Sequence, residues 1–395
     1  MGAYFYSYLN TAQSVLAAYR FEQPFHLFLK SFFKRNKKYG SRDRKTISNL
    51  CYGFFRIGDA AAELTFNDQV AIGYFLTHTY DNGLLALLQP DWISHVHAST
   101  EEKFAVIQSA FVSFDKTKLF PGIENLSESI DEKIFKEHHF QQPDFFLRIR
   151  PGKKATILNK FSKNQVAYKE VKANTLWISA GTDVQDFIDL DKDAVVQDIS
   201  SQATMDFFPS MQTVPVSVWD ACAGSGGKSI MAADTYPNVQ LFVSDIREEI
   251  LLELNRRFSH ASIVPQSMFC TDLQNSLSKQ VVDSNLPVGG VDLIIADVPC
   301  TGSGTWARSP EWLKAFDLEL IAAYQERQKK IVANLPAHLN EEGNLLYITC
   351  SVFKQENEEV VTFLQTNSGL QLVKQSVVHE PGGDYLFAAL FSKKK

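Results

Sequence analysis

The sequence predicts an α/β protein whose largest domain is a Rossmann-like, mostly parallel sheet covered by helices. After residue 206, apolar runs that end in small or acidic residues alternate with amphipathic stretches. The apolar runs are 214–220, 239–245, 291–297 and 344–349, and the amphipathic stretches are 248–258, 318–339 and 356–366. This alternation is typical of parallel strands joined by helices. The residues that could bind a ligand or take part in catalysis directly follow these runs. Ligands bind at the carboxyl ends of the strands in parallel sheets of this kind.

Two smaller regions precede this domain. Residues 1–120 carry apolar and aromatic side chains at helical spacing, which predicts a helical domain. Pro121 and Gly122 mark a boundary. Residues 121–205 contain short strand patterns at 145–150 and 175–179 and a helical pattern at 155–163, which predict a small α/β, RRM-like module. The predicted domains are therefore 1–120, 121–205 and 206–395.

Composition excludes several classes of protein. The chain has 395 residues, of which 45% are hydrophobic and 21% charged, as expected for a globular protein with two or three domains. Its five cysteines are scattered, without a C-x-x-C pair, which predicts no metal site and a reduced, cytoplasmic setting. No apolar run reaches about 18 residues, and the signal-peptide pattern is absent, so we expect neither a membrane span nor secretion.

A local basic cluster stands out on this acidic chain. The formal net charge of −6 argues against a broad nonspecific nucleic-acid surface, so a polyanionic partner needs a local patch. Residues 30–45 form the densest positive cluster, with Phe32, Phe33 and Tyr39 interleaved. Such a cluster suits a phosphate backbone, although a solvated helix end explains it equally simply. Four further cations could extend this basic surface: Arg148, Arg150, Lys153 and Lys154.

The first strand of the large domain runs into a glycine-rich loop, which predicts a nucleotide-type cofactor site. A P-loop is excluded because Cys222 stands where its first glycine is required, and a dinucleotide fingerprint is incomplete because Ser229 replaces its third glycine. Asp245, which ends the second strand, can accept hydrogen bonds from the ribose hydroxyls of NAD or S-adenosylmethionine alike. Asp272 follows the short third strand and is placed to approach an adenine amino group. The alternative for a strand-end aspartate is a helix N-cap.

Two cysteines follow the ends of the fourth and fifth strands. Cys300 belongs to the segment Asp297-Val298-Pro299-Cys300, and Cys350 to Thr349-Cys350-Ser351. A lone cysteine is more often a small buried hydrophobe, which is the interpretation we favour for Cys51 and Cys270. The shared position at one sheet edge favours a chemical role for Cys300 and Cys350. An oxidoreductase that transfers hydride would need no such pair.

These motifs resemble those of the RNA cytosine-5 methyltransferases of the NOL/Sun type, and most closely their bacterial 16S rRNA branch. The resemblance is strong over about 195–395, and 41–56 is similar to the helical, NusB-like domain of that branch. The matching segments are Asp220–Lys228, Asp297–Cys300, Thr349–Ser351 with Glu356-Asn357-Glu358, Gln197–Gln202 and Gly383–Ala388. The chain departs from the family at Gly224-Ser225, where Ala-Pro is usual, and at Arg308, where two arginines are common.

The resemblance implies methylation of carbon 5 of a cytosine in RNA, with S-adenosylmethionine as cofactor. In the family, the cysteine after threonine adds to carbon 6 of the base, which implies Cys350 as nucleophile. Cys300 is implied to assist loss of the carbon 5 proton and release of the enzyme. Asp297 is implied to hold the base, and Lys228 to favour a thiolate. In the DNA enzymes the Pro-Cys cysteine is the nucleophile, so the Thr-Cys pair indicates RNA.

The remaining expectations concern binding residues and partners. The expected cofactor-binding residues are Cys222, Ala223, Gly224, Ser225, Gly226, Gly227, Lys228, Asp245, Asp272 and Asp297. The expected RNA contacts are Lys34, Arg35, Lys37, Lys38 and Arg308. We expect ribosomal RNA as the partner, with transfer RNA as the alternative substrate and a non-catalytic ribosome assembly factor as a rival of another class. A monomer is expected because each chain carries a complete site.

Overall fold

The computed structural model describes residues 2–81, 83–179, 181–211, 216–275 and 277–393. They divide into two compact units. We call the first the helical unit; it comprises Met1–Leu126, Ile130–Gln142 and Thr305–Leu318. We call the second the sheet unit; it comprises Ser127–Ser129, Pro143–Gly304 and Glu319–Lys395. Within the described part of the chain, no helix has both the length and the apolar character needed to cross a membrane.

The amino-terminal region is helical, as the sequence predicts. Its helices are α1 (Gly2–Ala18), α2 (Phe25–Arg35), α3 (Ser41–Arg56), α4 (Phe66–Thr77), α5 (Leu84–Leu88), α6 (Thr100–Ala110) and α7 (Glu132–His139). Helices α3 and α4 pack backbone against backbone, because a Cβ on Gly73 would lie 2.3 Å from the carbonyl oxygen of Gly53. Glycine is therefore required where these two helices cross.

A small antiparallel sheet forms the first part of the sheet unit. Its strands are β1 (Phe145–Ile149), β2 (Tyr168–Lys172), β3 (Thr175–Ile178) and β4 (Ala194–Val196), in the order β2-β3-β1-β4. Helix α8 (Lys154–Lys163) supplies Ile157 and Phe161 to an apolar core that also contains Leu147. The strands and the helix predicted for this module are confirmed to within a residue or two.

The large sheet has seven strands and confirms the predicted fold class. They are β5 (Ser217–Asp220), β6 (Gln240–Asp245), β7 (Ser267–Cys270), β8 (Val291–Asp297), β9 (Leu339–Thr349), β10 (Leu370–His379) and β11 (Tyr385–Lys393). Their order is β10-β11-β9-β8-β5-β6-β7, and only β11 runs antiparallel to its neighbours. The first strand, predicted from 214, begins at Ser217, and residues 214 and 215 lie outside the described residues. The fifth strand begins at Leu339 rather than at 344.

Helices cover both faces of this sheet. The remaining helices of the chain are α9 (Ile199–Ala203), α10 (Gly227–Thr235), α11 (Glu248–Ala261), α12 (Ser278–Asn285), α13 (Glu311–Lys314), α14 (Glu319–Ala333) and α15 (Glu358–Asn367). One apolar core lies under α10 and α11, and a second lies under α12, α14 and α15. Strands buried on both faces explain the nearly continuous apolar runs of the sequence. The strand order reverses between β5 and β8, which is where such sheets bind ligands.

A short segment after β8 belongs to the helical unit, although the predicted boundary assigned it to the large domain. Within Thr305–Leu318, Glu311 Oε1 accepts a hydrogen bond from the Phe25 backbone N–H at 3.0 Å, at the start of α2. The Arg56 guanidinium donates to the carbonyl oxygen of Ala307. The residues in each pair lie more than two hundred positions apart, so no local pattern of the sequence reveals them.

The other boundaries also differ from the prediction. The helical unit extends to Gln142 instead of 120, and the small sheet clusters with the large sheet. Buried ion pairs explain this, since Arg148 Nη1 and Arg150 Nη2 lie 2.5 and 2.9 Å from the Asp234 carboxylate on α10. The expected extension of the basic surface by Arg148 and Arg150 is wrong for the same reason. Lys153 and Lys154 each keep 39% of their side-chain surface exposed, 3.9 Å from Asp193 and 2.5 Å from Glu170, so their part in a basic surface stays a prediction.

Candidate active site

The two thiols singled out by the sequence lie in contact. Cys300 follows the end of β8, Cys350 directly follows β9, and these two strands are parallel neighbours. Their Sγ atoms are 3.3 Å apart. Contact with Cys350, together with burial, raises the pKa of the Cys300 thiol well above its ordinary value. At this distance the S–H of one thiol can donate to the sulfur of the other.

A buried carboxylate lies beside the thiol pair. Glu356 has no exposed surface, and its Oε1 accepts hydrogen bonds from Thr301 N and Gln328 Nε2, each at 2.9 Å. Its Oε2 accepts hydrogen bonds from Thr301 Oγ1 and Ser351 Oγ, each at 2.5 Å. The sequence identified Glu356 as part of a family motif and assigned it no function. The pattern missed this network because its donors come from three separate segments.

The next residue of that motif, Asn357, fixes the end of β9 through hydrogen bonds. Asn357 Oδ1 accepts a hydrogen bond from Thr349 Oγ1 at 2.6 Å, and its Nδ2 donates to Ser351 O at 2.9 Å. Gly304 N donates to Cys350 O at 2.9 Å. No side chain fits at Gly304, where a Cβ would lie 1.9 Å from the carbonyl oxygen of Tyr385. The backbone on both sides of Cys350 is therefore fixed.

A buried lysine and a carboxylate form an ion pair at the same edge of the sheet. Lys228 Nζ lies 3.3 Å from Asp297 Oδ2 and donates to Ser201 Oγ at 2.7 Å. Lys228 is 6% exposed, so its charge is held by these two groups rather than by solvent. The resemblance assigned Lys228 and Asp297 to the site, whereas Ser201 was noted only within a similar segment. The structure brings all three together.

The glycine-rich loop between β5 and α10 has the open geometry expected of a cofactor cradle. Gly224 has a φ of +50° and no atom within 4 Å of an added Cβ, so its outer side is open. Gly226 has a φ of +83°, and an added Cβ would lie 2.2 Å from Leu254 Cδ1. The first glycine leaves room for a ligand, and the second permits close packing against α11. This loop lacks the rigidity of the family's usual Ala-Pro.

Asp245, the expected ribose ligand, is already hydrogen-bonded within the protein. Its Oδ2 accepts from Gly224 N at 2.9 Å, and its Oδ1 accepts from Arg247 N and Nε, each at 3.0 Å. Burial alone would raise the pKa of Asp245, but the hydrogen bonds from Arg247 and Gly224 outweigh it and lower the pKa. The sequence did not identify Arg247. A ribose that binds Asp245 must share this carboxylate with the guanidinium.

The other expected cofactor residues lie around this loop. Cys222 is half-buried and packs against the core under α12, α14 and α15, and burial raises the pKa of its thiol. Ala223 N donates to Ser244 O on β6 at 2.9 Å. Asp272 is exposed on the turn after β7, where its Oδ1 accepts from Gln274 N at 3.0 Å. Two more of the expected cofactor-binding residues belong to the glycine-rich loop: Ser225 is exposed, and Gly227 begins α10.

An acid at the end of β5 adds a group that the sequence did not single out. Asp220 is fully buried, and its Oδ2 accepts a hydrogen bond from Ser229 Oγ at 2.5 Å. Its Oδ1 has no hydrogen-bond partner among the described residues. Burial raises the pKa of Asp220 to about 7. A strand-end carboxyl that titrates near neutrality is a perturbed group of the kind that clusters at functional sites.

The expected RNA contacts lie in the helical unit. Lys34 and Arg35 end α2, and Lys37 and Lys38 lie in the turn that follows; we call these four residues the basic segment. All four are exposed, and no ion pair with an acid involves them among the described residues. Arg308 is also exposed and belongs to the Thr305–Leu318 segment of this unit.

Comparisons with known proteins agree with this geometry. Residues 212–386 match the family described as 16S rRNA methyltransferase RsmB/F. The chain is 28% identical over 221 residues to the ribosomal RNA small subunit methyltransferase B of Escherichia coli O6:K15:H31 (strain 536), over 50% of this chain and 47% of that protein. The protein of the same name from Proteus mirabilis (strain HI4320) is 25% identical over 340 residues, 79% of this chain and 76% of that protein. The match thus spans about half the length of the first relative and about three quarters of the second.

A solved structure extends the likeness of fold to nearly the whole chain. The crystal structure of PH0851 superposes with a TM-score of 0.68 at 18% identity, over 94% of this chain and 95% of that chain. The likeness therefore includes the helical amino-terminal region as well as the large sheet.

Proposed function

We propose that this protein methylates carbon 5 of a cytosine in RNA, because residues 212–386 match the family described as 16S rRNA methyltransferase RsmB/F. S-adenosylmethionine would supply the methyl group as an electrophile. The observation that carries this proposal is the contact between Cys300 and Cys350 at the ligand-binding edge of the sheet. Methylation at this carbon is a reaction that requires a nucleophile and, later, help in removing a proton.

The chemistry of cytosine explains the need for a thiol. Carbon 5 is too weak a nucleophile to attack a methyl group bound to sulfonium. When the Cys350 thiolate forms a bond to carbon 6, the electron pair of the 5,6 double bond becomes available at carbon 5. Bound S-adenosylmethionine would supply the methyl group to this carbon and leave as S-adenosylhomocysteine. Loss of the carbon 5 proton and cleavage of the bond from sulfur to carbon 6 restore the aromatic ring. Covalent catalysis divides one difficult step into easier ones.

The neighbouring groups support different functions for the two thiols. We assign the nucleophile to Cys350 and assistance with proton loss and enzyme release to Cys300. Asp297 would hydrogen-bond the base near N3 and its exocyclic amine, which would hold it over the thiols. The Lys228 ammonium, fixed against Asp297, favours negative charge at this edge. All of these side chains belong to one chain, so a monomer suffices for the reaction.

The residues around the glycine loop fit S-adenosylmethionine. The open side of Gly224 admits close approach of a ligand to the backbone, and Asp245 can bind ribose hydroxyls. Asp272 lies on the turn after the next strand along the sheet, in keeping with a contact to the adenine. The Gly-Ser pair in place of Ala-Pro makes the loop more flexible, which we expect to weaken cofactor binding rather than to change the chemistry.

The substrate we propose is 16S ribosomal RNA. The names of both relatives and of the matched family support it. On a chain with a net charge of −6, the exposed basic segment, which pairs with no acid among the described residues, is the best candidate for contact with the phosphate backbone. Arg308 would add a further phosphate contact from the same unit.

Bisulfite sequencing tests the substrate directly. RNA from cells that lack the gene is compared with RNA from cells complemented by the wild type or by Cys350→Ala. We expect one cytosine of 16S rRNA to be protected only with the wild type. Protection of a transfer RNA cytosine instead would show that transfer RNA, not 16S rRNA, is the substrate. If no cytosine in either RNA class depends on the gene, the proposed reaction is wrong.

A further inference from the structure

Glu356 lies between the two loops that carry the thiols. We propose that Glu356 is a positioning residue that joins these loops, keeps the two thiols in contact and places its charge beside the Cys300 loop. The inference rests on the proposed function, in which Cys350 is the nucleophile. Glu356 does not contact the base in this scheme and acts only through the two cysteines.

Four donors indicate that Glu356 is held as a carboxylate. The Thr301 backbone N–H and the Gln328 side-chain amide, which meet Oε1, can only donate. The hydroxyls of Thr301 and Ser351 both point to Oε2. Burial raises the pKa of Glu356, and these hydrogen bonds act in the opposite direction. A carboxylate that accepts several hydrogen bonds is stabilised in its charged form.

The position of these donors fixes the spacing of the thiols. Thr301 directly follows Cys300, and Ser351 directly follows Cys350. Because both hydroxyls donate to the same oxygen of Glu356, the two loops are linked through a single atom. Gln328 Nε2 also donates to Pro299 O at 3.0 Å, which fixes the first loop on its other side. The 3.3 Å separation of the thiols therefore depends on this acid.

The charge of Glu356 also acts on the Cys300 thiol. The hydrogen bond to Cys350, burial and the Cys350 charge, followed by the charge of Glu356, raise the pKa of Cys300. The Cys300 S–H can then donate to the Cys350 sulfur. In the proposed reaction Cys300 releases this proton before it assists loss of the proton from carbon 5.

The other ionisable groups around Glu356 do not titrate in the range of the test. The Tyr347 hydroxyl donates to Glu356 O at 2.5 Å, and burial raises its pKa well above the ordinary value. Burial also raises the pKa of Tyr324, which lies on α14 near both thiols and Arg327. Both tyrosines thus stay neutral between about pH 6 and pH 9.

The test measures alkylation of each cysteine in the full-length protein without RNA or cofactor. Iodoacetamide labels thiolates, and peptide mass spectrometry reports Cys300 and Cys350 separately over about pH 6 to pH 9. In Glu356→Gln we expect the Cys300 profile to move to lower pH, with at least about threefold more labelling at neutral pH, since labelling follows the thiolate fraction. A lower midpoint for Cys300 is the result specific to the charge.

Two further variants separate charge from loop support. Glu358→Gln makes the same change two residues away, where the carboxylate accepts from Ser127 Oγ instead of the cysteine loops, and should leave the profile unchanged. Thr301→Val removes one hydroxyl donor and leaves the Glu356 charge, so Cys300 should keep the wild-type midpoint. If Thr301→Val shifts the midpoint as far as Glu356→Gln, loosening of the loop explains the effect and the charge-based inference is wrong.

The remaining outcomes separate failure of this inference from failure of the proposed function. An unchanged Cys300 profile in a folded Glu356→Gln variant, checked by circular dichroism, would overturn the inference and leave the proposed reaction intact. If Glu356→Gln does not fold, Ser351→Ala takes its place: it should increase labelling of both thiols without a shift in midpoint, and an unaffected labelling rate contradicts the linkage. Failure of the wild type to methylate RNA would refute the proposed function whatever the alkylation shows.

Discussion

The edge of the sheet that carries the thiols and the basic segment of the helical unit hold their charges in opposite ways. At the sheet edge, the carboxyl groups of Asp220 and Glu356 and the ammonium of Lys228 are buried and hydrogen-bonded to other side chains. In the basic segment, four cations are exposed within five positions of the sequence, and no acid pairs with them among the described residues. Burial makes each group at the sheet edge individually costly to alter.

The two regions should therefore respond differently to mutation. A buried charge in a network couples to its neighbours, so one substitution changes pKa values, geometry and stability together. An exposed cation is already solvated, so its removal changes long-range attraction and little else. Large, specific effects are therefore expected at the sheet edge, and graded effects that sum over several residues are expected in the basic segment.

The largest expected effect concerns Asp220. Its pKa of about 7 exceeds the ordinary value, so the folded state keeps a proton that the unfolded state releases. Stability should therefore fall as pH rises from about 4 to about 7 and stay low above it, by about 4 kcal/mol in all. Asp220→Asn should abolish this decline and unfold at higher urea concentration than the wild type at about pH 9, with little difference at about pH 4.

A second variant sharpens this prediction. Ser229→Ala removes the hydrogen bond that favours the charged form of Asp220, so the decline should extend to higher pH and become larger in total. Urea titrations of all three proteins at the same pH values supply the comparison. An identical decline in the wild type and in Asp220→Asn would mean that other groups cause it.

A smaller effect is expected in the basic segment. Replacement of its four cations by glutamine should weaken RNA binding and reduce the slope of log affinity against log salt by up to about 3, at about 0.7 per phosphate contact on a single strand. The exposure of all four side chains is the reason to expect contributions of similar size. Filter binding at several salt concentrations measures both quantities, and protein stability should not change.

The matched control removes four exposed lysines elsewhere and produces the same change in net charge. The control residues are Lys163, Lys169, Lys279 and Lys330. This variant should retain most of the wild-type slope. If both sets reduce the slope equally, the net charge of the protein explains the effect, and the basic segment is only a solvated surface.

The same contrast explains what the sequence could predict. Strand ends and helical spacing predicted the large sheet and the meeting of Cys300 with Cys350, since parallel strands impose that geometry. The hydrogen bonds of Glu356 and the pairing of Arg148 with Asp234 could not be predicted, because their partners lie on separate segments. The insertion of Thr305–Leu318 into the helical unit escaped prediction for the same reason.

The most direct measurement is the capture of a covalent intermediate. RNA with 5-fluorocytosine at the target position cannot lose a proton from carbon 5, so the enzyme should remain bound to it through sulfur. Peptide mass spectrometry should find the adduct on Cys350; Cys350→Ala should form none, and Cys300→Ala should form one even on ordinary RNA. An adduct that survives in Cys350→Ala and disappears in Cys300→Ala would reverse the two functions and contradict the central claim.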